Sequence, residues 1–291
     1  MGTADAVRQN LYSIKLVDDI QYVLILSTDH IYKMDYSRML TQHIDSGADV
    51  TISTIELCLE EAHRVKVNRS GKIYGFQEKP AIPEPSPTNP SCATVSMGIC
   101  IFNKSSLIPI LEEDARNPTS SHDFGKDVLP QTIEKYRVYS CHFVDENKKE
   151  AQYWLDVGTI QAYYEANLDL VAVSPQFNLY DKSWPIRTYQ RQYPPAKFVF
   201  AQEGKRMGIA VDSIVSSGCI ISGGRVVNSV LSPDVRINSY CEVDKSILLS
   251  HVNIGRYSRI RNAIIDRDVH LLENTIIGFD QKEDRKRYHV N

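Results

Sequence analysis

Two aspartates stand where an α/β sheet would place metal ligands. Asp29 closely follows an apolar run at residues 22–26, and Asp156 lies between a strand region and a helix predicted over 160–171. Ligands bind beyond the carboxyl ends of strands in open α/β sheets, and carboxylates are preferred ligands of Mg²⁺. If the two carboxylates converge, they would hold one divalent ion. Each also has a structural interpretation, Asp29 as a cap of the turn or of the next helix and Asp156 as a first-turn helix residue favoured by the helix dipole.

A second candidate is the pair Glu78 and Lys79, at the end of a predicted hairpin strand over residues 73–76. A carboxylate accepts hydrogen bonds from sugar hydroxyls, and an ammonium group binds a phosphate as a compact point charge. Exposed Glu–Lys pairs are often no more than solvated surface. The pair alone therefore leaves both interpretations open.

Alternating helix and strand patterns over the first two thirds of the chain would position these groups. The continuous apolar run at 22–26 is typical of a strand buried on both faces, and five prolines between Pro80 and Pro90 predict an extended surface loop. Thr3 is a possible helix N-cap. The predicted helices are 3–14, 39–47, 107–113, 128–136 and 160–171, and the other predicted strands are 50–55, 65–67, 73–76, 95–102 and 136–144.

A different pattern begins after residue 207. Between residues 213 and 278 apolar or small side chains recur six residues apart, with Gly, Ser and Asn between them. Such a period predicts a parallel β-helix, in which each inward side chain stacks on the next coil. An antiparallel β domain with similar strand spacing is the alternative. The recurring positions are Val235, Cys241 and Ile247, then Ile254 and Ile260, then Ala263, Val269 and Thr275.

Composition excludes several classes of protein. The 291 residues predict about two domains, and 42% apolar with 24% charged residues indicates a globular chain with a sizeable core. A balance of 33 Lys and Arg against 36 Asp and Glu argues against a nucleic-acid partner. The chain shows no apolar run of the ~20 residues that a membrane span needs and no signal peptide, so we expect a cytoplasmic protein without membrane contact. Six scattered cysteines are expected to be structural thiols.

Several motifs occur together in the order seen in bacterial ADP-glucose pyrophosphorylase (glucose-1-phosphate adenylyltransferase), and the chain resembles that family over nearly its whole length. The motifs are GTADA (2–6), DHIYKMDY (29–36), FQEKP (76–80), SMG (96–98), SHDFGKD (121–127), DVGT (156–159) and WPIRT (184–188), followed by the six-residue repeats.

The resemblance implies an α/β fold with an incomplete Rossmann-like nucleotidyltransferase domain at 1–172, a linker at 173–207 and a left-handed parallel β-helix of hexapeptide repeats at 208–291. It implies that ATP and α-D-glucose 1-phosphate give ADP-glucose and diphosphate, a step of glycogen biosynthesis, with Mg²⁺ as cofactor. The sugar phosphate would attack the α-phosphorus in line.

Residue roles carried over from the family follow the matched motifs. Asp29 and Asp156 would be catalytic and hold the metal. The other implied roles are binding of glucose 1-phosphate by Glu78, Lys79 and Ser96, binding of the nucleotide by Gly2, Thr3 and Ala4, and allosteric binding of an AMP-like inhibitor by Arg267. The family also implies a homotetramer, or a mixed oligomer with a full-length paralogue.

The chain departs from the family pattern at its start. The Gly-rich, Arg-containing loop that cradles the triphosphate has no counterpart ahead of Asp29, and Thr28 stands where the family has glycine. We therefore expect little activity from the chain alone, and a second hypothesis is a catalytically silent, truncated relative acting as a regulatory or assembly subunit. A third interpretation, an acyltransferase using His251 or His270, leaves the aspartate motifs unexplained.

Overall fold

The computed structural model describes residues 2–58, 64–67, 71–77, 85–86, 91–147, 152–202 and 206–290, with the backbone alone at 58, 64–67 and 77. Helices and strands alternate over the first 170 residues, as the sequence predicts. They are α1 Thr3–Gln9, α2 Leu11–Lys15, β1 Tyr22–Ile25, β2 His30–Tyr32, α3 Tyr36–Asp45, β3 Val50–Cys58, β4 Arg64–Val67, β5 Ile73–Gln77, β6 Cys92–Asn103, α4 Lys104–Ala115, a π-helical turn Phe124–Val128, α5 Leu129–Lys135, β7 Val138–His142, β8 Trp154–Asp156 and α6 Ile160–Asp169.

The helix α3 shows how local sequence sets these elements. The carboxylate of Asp35 accepts a hydrogen bond from the Ser37 amide at 2.9 Å and caps the first turn. Met39 and His43, four residues apart and so on one face, are buried. Gly47 follows the helix at φ +59°, a left-handed conformation that favours glycine.

Six strands form one mixed sheet in the order β5-β4-β6-β3-β7, with β1 paired to the C-terminal part of β6. Only the β3–β7 pairing is parallel. Helical residues cover the strands and close a core around Ile52, Phe102, Leu107 and Val138, each fully buried. The long strands β3 and β6 are rich in β-branched residues, which pack well on a pleated surface.

The prediction that the run at 22–26 is buried on both faces was wrong. Strand β1 pairs antiparallel with β6, and Leu24 and Leu26 are exposed over more than a third of their surface. Among the described residues, β1 has a single neighbouring strand, so one of its edges lies open. A second difference concerns Thr3, which is the first helical residue of α1, since Gly2 occupies the N-cap position. The predicted proline loop lies almost entirely outside the described residues.

The predicted parallel β-solenoid is confirmed. Its three sheets are β10-β13-β16-β19-β22, β11-β14-β17-β20 and β9-β12-β15-β18-β21. The strands are β9 Lys197–Val199, β10 Ile209–Val211, β11 Ile214–Val215, β12 Ile220–Ser222, β13 Arg225–Val227, β14 Val230–Leu231, β15 Arg236–Ile237, β16 Glu242–Asp244, β17 Ile247–Leu248, β18 Asn253–Ile254, β19 Arg259–Arg261, β20 Ile264–Ile265, β21 His270–Leu271 and β22 Ile276–Ile277, followed by helix α7 Gln281–Asp284.

Each coil is shorter than three full six-residue steps. In one sheet Ile209 pairs with Arg225, Arg225 with Glu242, and Glu242 with Arg259, so a coil takes 16 or 17 residues. The chain turns at residues with positive φ, including Asp234, at φ 63°. Positive φ recurs at Asp234, Tyr240, Lys245 and His251, so the steps between these residues take six, five and six residues and add up to 17.

A ladder of buried hydroxyls supports one corner of the solenoid. The Ser229 hydroxyl accepts from the Ser246 amide at 3.0 Å, and the Ser246 hydroxyl accepts from the Ala263 amide at 3.3 Å. Each serine also donates to a carbonyl two residues earlier. The ladder satisfies amides that would otherwise be buried without a partner.

The chain divides into two compact units that differ from the sequence division at 172 and 207. The α/β unit comprises Met1–Thr28 and Lys33–Glu146, and the solenoid unit comprises Asp29–Tyr32 and Asn147–Asn291. The difference arises because β2 pairs with β8 and Tyr164 donates to the Lys245 carbonyl at 2.7 Å. Strand β9, within the segment assigned as linker, pairs with β12. The sequence boundaries stay a prediction about domains.

The five cysteines whose side chains are described are free thiols, four of them buried. Burial raises the pKa of the Cys100 thiol to about 12 and that of Cys141 to about 11, so both stay protonated and unreactive at neutral pH. No helix in the described part of the chain has the length and apolar character to span a membrane.

Candidate metal and nucleotide site

A short two-stranded ribbon brings the two predicted aspartates together. Strands β2 and β8 run antiparallel, and His30 lies directly opposite Asp156. Asp29 precedes β2, and its carbonyl accepts a hydrogen bond from the Val157 amide at 2.9 Å. The backbone pairing therefore places both carboxylates at one end of the ribbon, although they are separated by more than a hundred residues in sequence.

The side chains at this end form a cluster that suits a divalent ion. One ligand atom from each of Asp29, His30 and Asp156 lies within 4.8 Å of the other two. The His30 Nε2 atom is 3.6 Å from Asp29 Oδ1, and the Asp29 side chain is 56% exposed whereas that of His30 is 12% exposed. Exposed carboxylate oxygens are what a hard divalent cation takes as ligands, so the donor set fits the group that the sequence predicts.

A glycine fixes the orientation of the Asp156 carboxylate. The Gly158 amide donates to Asp156 Oδ1 at 2.8 Å, closing a tight turn after the strand. A Cβ atom at position 158 would lie 3.0 Å from that same oxygen. A side chain at position 158 would therefore press on the Asp156 carboxylate and shift it, and Thr159 follows as the N-cap of α6.

Sequence reasoning missed one side chain of this cluster, that of His30, and also Trp154 beside it. The rings of His30 and Trp154 meet edge to face, with centroids 5.1 Å apart and planes at 77°. The sequence does contain a signal for His30. In a strand, His30 and Tyr32 are two residues apart and so lie on one face of the ribbon. Asp29 drew attention because it followed the apolar run, whereas the pairing partner of β2 could not be identified from the sequence.

The start of helix α1, which contains the predicted nucleotide-binding residues Gly2, Thr3 and Ala4, belongs to the α/β unit. The amides of Ala4 and Asp5 donate to the His122 carbonyl at 2.9 and 3.3 Å. A Cβ at Gly2 would lie 2.3 Å from that carbonyl oxygen, so only glycine allows the approach.

The Thr3 hydroxyl also has partners within the unit. It donates to Asp123 Oδ2 at 3.0 Å and accepts from the Phe124 amide at 3.0 Å. The GTADA and SHDFGKD motifs therefore form one hydrogen-bonded turn. Ala4 is buried, so its side chain is not exposed to a ligand.

The other predicted site residues lie on other elements of the chain or outside the described residues. Ser96 lies in β6 beside an irregularity in the β3–β6 register, and its hydroxyl accepts from the Gly98 amide at 3.2 Å. Glu78 and Lys79 lie outside the described residues. Arg267 is exposed on the turn between β20 and β21, where its amide donates to Asp266 Oδ1 at 2.7 Å. Within the described part of the solenoid unit, Asp29 and Asp156 converge, whereas Arg267 lies on a different element.

Comparisons with known proteins agree with this architecture. Residues 1–172 match the family described as Nucleotidyl transferase, and residues 194–291 match the family described as GlmU-like, C-terminal hexapeptide. These matches define the class of protein: the chain is a nucleotidyltransferase that carries a C-terminal hexapeptide domain. Enzymes of this class generally use divalent metal ions.

Curated relatives narrow the class to one family. A glucose-1-phosphate adenylyltransferase of Koribacter versatilis (strain Ellin345) is 61% identical over all of this chain and 70% of its own length. Proteins of that name from Rhodopirellula baltica and Methylococcus capsulatus are 50% and 47% identical over 98% and 100% of this chain, and over 65% and 69% of their own lengths. The chain belongs to the glucose-1-phosphate adenylyltransferase family and spans about two thirds of these relatives.

Proposed function

We propose that this chain acts in the transfer of the adenylyl group of ATP to α-D-glucose 1-phosphate, giving ADP-glucose and diphosphate for glycogen synthesis. The observation that carries the proposal is the convergence of Asp29 and Asp156 on one ribbon of a chain 61% identical to a named glucose-1-phosphate adenylyltransferase. The sequence similarity defines the family. The paired carboxylates would hold the divalent ion that phosphoryl transfer needs.

The residues of this chain would act by holding and orienting. In the reaction a phosphate oxygen of the sugar phosphate forms a bond to the α-phosphorus as the bond to the diphosphate breaks. Asp29 and Asp156 would hold Mg²⁺, which when bound neutralises charge on the phosphate oxygens. The hydrogen bond from the Gly158 amide keeps the Asp156 carboxylate in place before substrate arrives, so little reorganisation is needed.

Substrate and effector contacts complete the proposal. Glu78, Lys79 and Ser96 would bind glucose 1-phosphate, and the turn that contains Gly2, Thr3 and Ala4 would lie against the nucleotide. Exposed Arg267 would bind an AMP-like inhibitor, because a guanidinium pairs with phosphate in a bidentate manner. A homotetramer, or a mixed oligomer with a full-length paralogue, is the expected assembly.

The test measures ADP-glucose formed by the purified chain from ATP, glucose 1-phosphate and Mg²⁺, alone and together with a full-length paralogue. When the chain is assayed alone, Asp156→Asn and Asp29→Asn should each lower turnover by about a hundredfold or more, the cost of losing one electrostatic contact to the transition state. Asp45→Asn, at an exposed position near the end of α3, is the matched control and should leave turnover unchanged.

Two outcomes would overturn the proposal. Turnover that survives in both aspartate variants would remove the role given to the metal. A chain that forms no ADP-glucose alone or with the paralogue, and instead only alters the kinetics of the paralogue, would identify it as a regulatory or assembly subunit.

A further inference from the structure

His30 lies within the candidate metal cluster but has no part in the roles proposed above. We propose that His30 is a third metal ligand, binding through Nε2 the divalent ion that Asp29 and Asp156 hold. The inference rests on the proposed metal site and adds an imidazole nitrogen to a set of carboxylate oxygens.

Distances within the cluster suit three ligands of one ion. Two ligands ~2.1 Å from an octahedral ion lie ~3.0 Å apart when adjacent and ~4.2 Å apart when opposite. His30 Nε2 is 3.6 Å from Asp29 Oδ1, and no pair of the three ligand atoms is more than 4.8 Å apart. Closing the cluster around an ion therefore requires no pair of ligand atoms to approach by more than about 1.8 Å, which exposed carboxylates achieve by rotation.

The backbone presents His30 at the right place without any rearrangement of the strands. His30 and Asp156 are paired residues of the ribbon, so their side chains project from the same face. Asp29 is tied to the other strand through its carbonyl and the Val157 amide. All three ligands are thus fixed to one small element.

Trp154 limits the freedom of the imidazole ring. It lies two residues before Asp156 on the same face of β8, and its ring meets that of His30 edge to face. This contact, together with the low exposure of the His30 side chain, holds the ring with Nε2 near the Asp29 carboxylate. A ring that only covered the core would not need a nitrogen beside a solvent-exposed carboxylate.

A nitrogen ligand has a consequence for the choice of metal. Carboxylates alone suit Mg²⁺, whereas imidazole favours transition-metal ions such as Co²⁺ and Zn²⁺, and also Mn²⁺ relative to Mg²⁺. Ligation through His30 therefore predicts tighter binding of Mn²⁺ than of Mg²⁺, with a difference that depends on the imidazole. The competing interpretation is that His30 only orients Asp29 by a hydrogen bond, in which case no metal–nitrogen bond forms.

The experiment uses the purified chain, free of any histidine tag, loaded with Mn²⁺ alone. Electron spin echo envelope modulation detects nitrogen bound to Mn²⁺, so the native chain should show ¹⁴N modulation. Labelling the chain with ¹⁵N-histidine should replace that signal by a ¹⁵N one, without any substitution that could affect folding. His30→Gln should abolish the modulation and weaken Mn²⁺ binding by at least about tenfold, while Mg²⁺ binding changes less.

His270→Gln, at an exposed position on β21, is the matched control and should keep both the modulation and the affinity. Mn²⁺ that binds the native chain without nitrogen modulation, or a modulation that survives in His30→Gln, would overturn the assignment of His30 and leave the aspartate site standing. Failure of the native chain to bind Mn²⁺ at all would overturn the ligand assignment and the proposed metal role together.

Discussion

The α/β sheet and the solenoid each bury a cluster of apolar side chains, but by opposite routes. In the sheet, Phe102 contacts partners distant in sequence, pairing with Val23 on β1 and Val50 on β3 and meeting the ring of Phe124 at 5.9 Å. In the solenoid, Ile237 pairs with Ile254, one coil further on. One core depends on long-range contacts, and the other is a stack of nearest neighbours.

The two cores should therefore differ in how far the effect of a substitution spreads. Removing a residue that joins several distant strands weakens every element that depends on it, whereas a stacked coil shares its stability mainly with the coils above and below. The candidate metal ligands lie in neither core. They occupy a ribbon of two short strands, where exposed carboxylates are compatible with folding.

The largest expected effect tests the long-range core. Phe102→Ala should destabilise the α/β unit by about 3–5 kcal/mol, the usual cost of removing a fully buried aromatic ring. Hydrogen exchange should then accelerate in β1, β3 and β6 together.

Ile260→Ala in the solenoid is the contrasting variant. Its cost should be about 2–5 kcal/mol, but faster exchange should be confined to the coils that contain β16, β19 and β22. Uniform acceleration throughout the solenoid, or acceleration limited to β6 in Phe102→Ala, would contradict the distinction between the two cores.

A smaller effect is expected from the serine ladder. Ser246→Ala removes the hydroxyl that accepts from the Ala263 amide and donates to the Asp244 carbonyl at 2.8 Å. A buried amide left without a partner costs about 1–3 kcal/mol, which urea unfolding followed by exchange at residue 263 would measure. Ser250→Ala, in a half-buried position, is the control and should change stability by less. An equal loss in the two variants would show that the ladder contributes nothing specific.

The solenoid was predictable from sequence because its contacts are local and repeated. The predicted inward positions Val235, Cys241, Ile247, Ile254 and Ile260 are almost fully buried, whereas those of the last set, Ala263, Val269 and Thr275, are only half-buried. The exact coil length was not predictable, because the step that is shortened to five residues runs between Tyr240 and Lys245, two residues that adopt positive φ. Residues of such types can adopt positive φ, but their presence in a sequence does not predict it.

The sheet was predictable in its elements but not in its pairing. The run at residues 22–26 has the composition of a buried strand, yet burial depends on neighbours that the pattern does not specify. The same limit applies to the site. Asp29 and Asp156 could be nominated from their motifs, whereas the place of His30 depends on the register between β2 and β8.

The smallest expected effect is a change of stability with pH. It should arise in the α/β unit, whose core borders the buried histidine His43. His43 is 1% exposed, between α3 and the sheet, with Nδ1 2.8 Å from the Thr51 hydroxyl and Nε2 3.1 Å from Asn103 Oδ1. Burial lowers the pKa of His43 below its ordinary value of 6.5, although Asn103 and Asp49 act in the opposite direction. The unfolded chain therefore takes up the proton at a higher pH than the folded chain does.

It follows that the contribution of His43 to stability is complete above its unfolded pKa and is lost as pH falls from there toward the lowered folded pKa. The free energy of unfolding of the α/β unit should thus fall as pH drops below the ordinary histidine pKa of 6.5, as followed by urea unfolding. In His43→Gln this slope should be reduced, whereas His142→Gln, at an exposed position on β7, should keep it. An unchanged dependence of the unfolding free energy on pH in His43→Gln would show that the pH dependence of the α/β unit does not arise from His43.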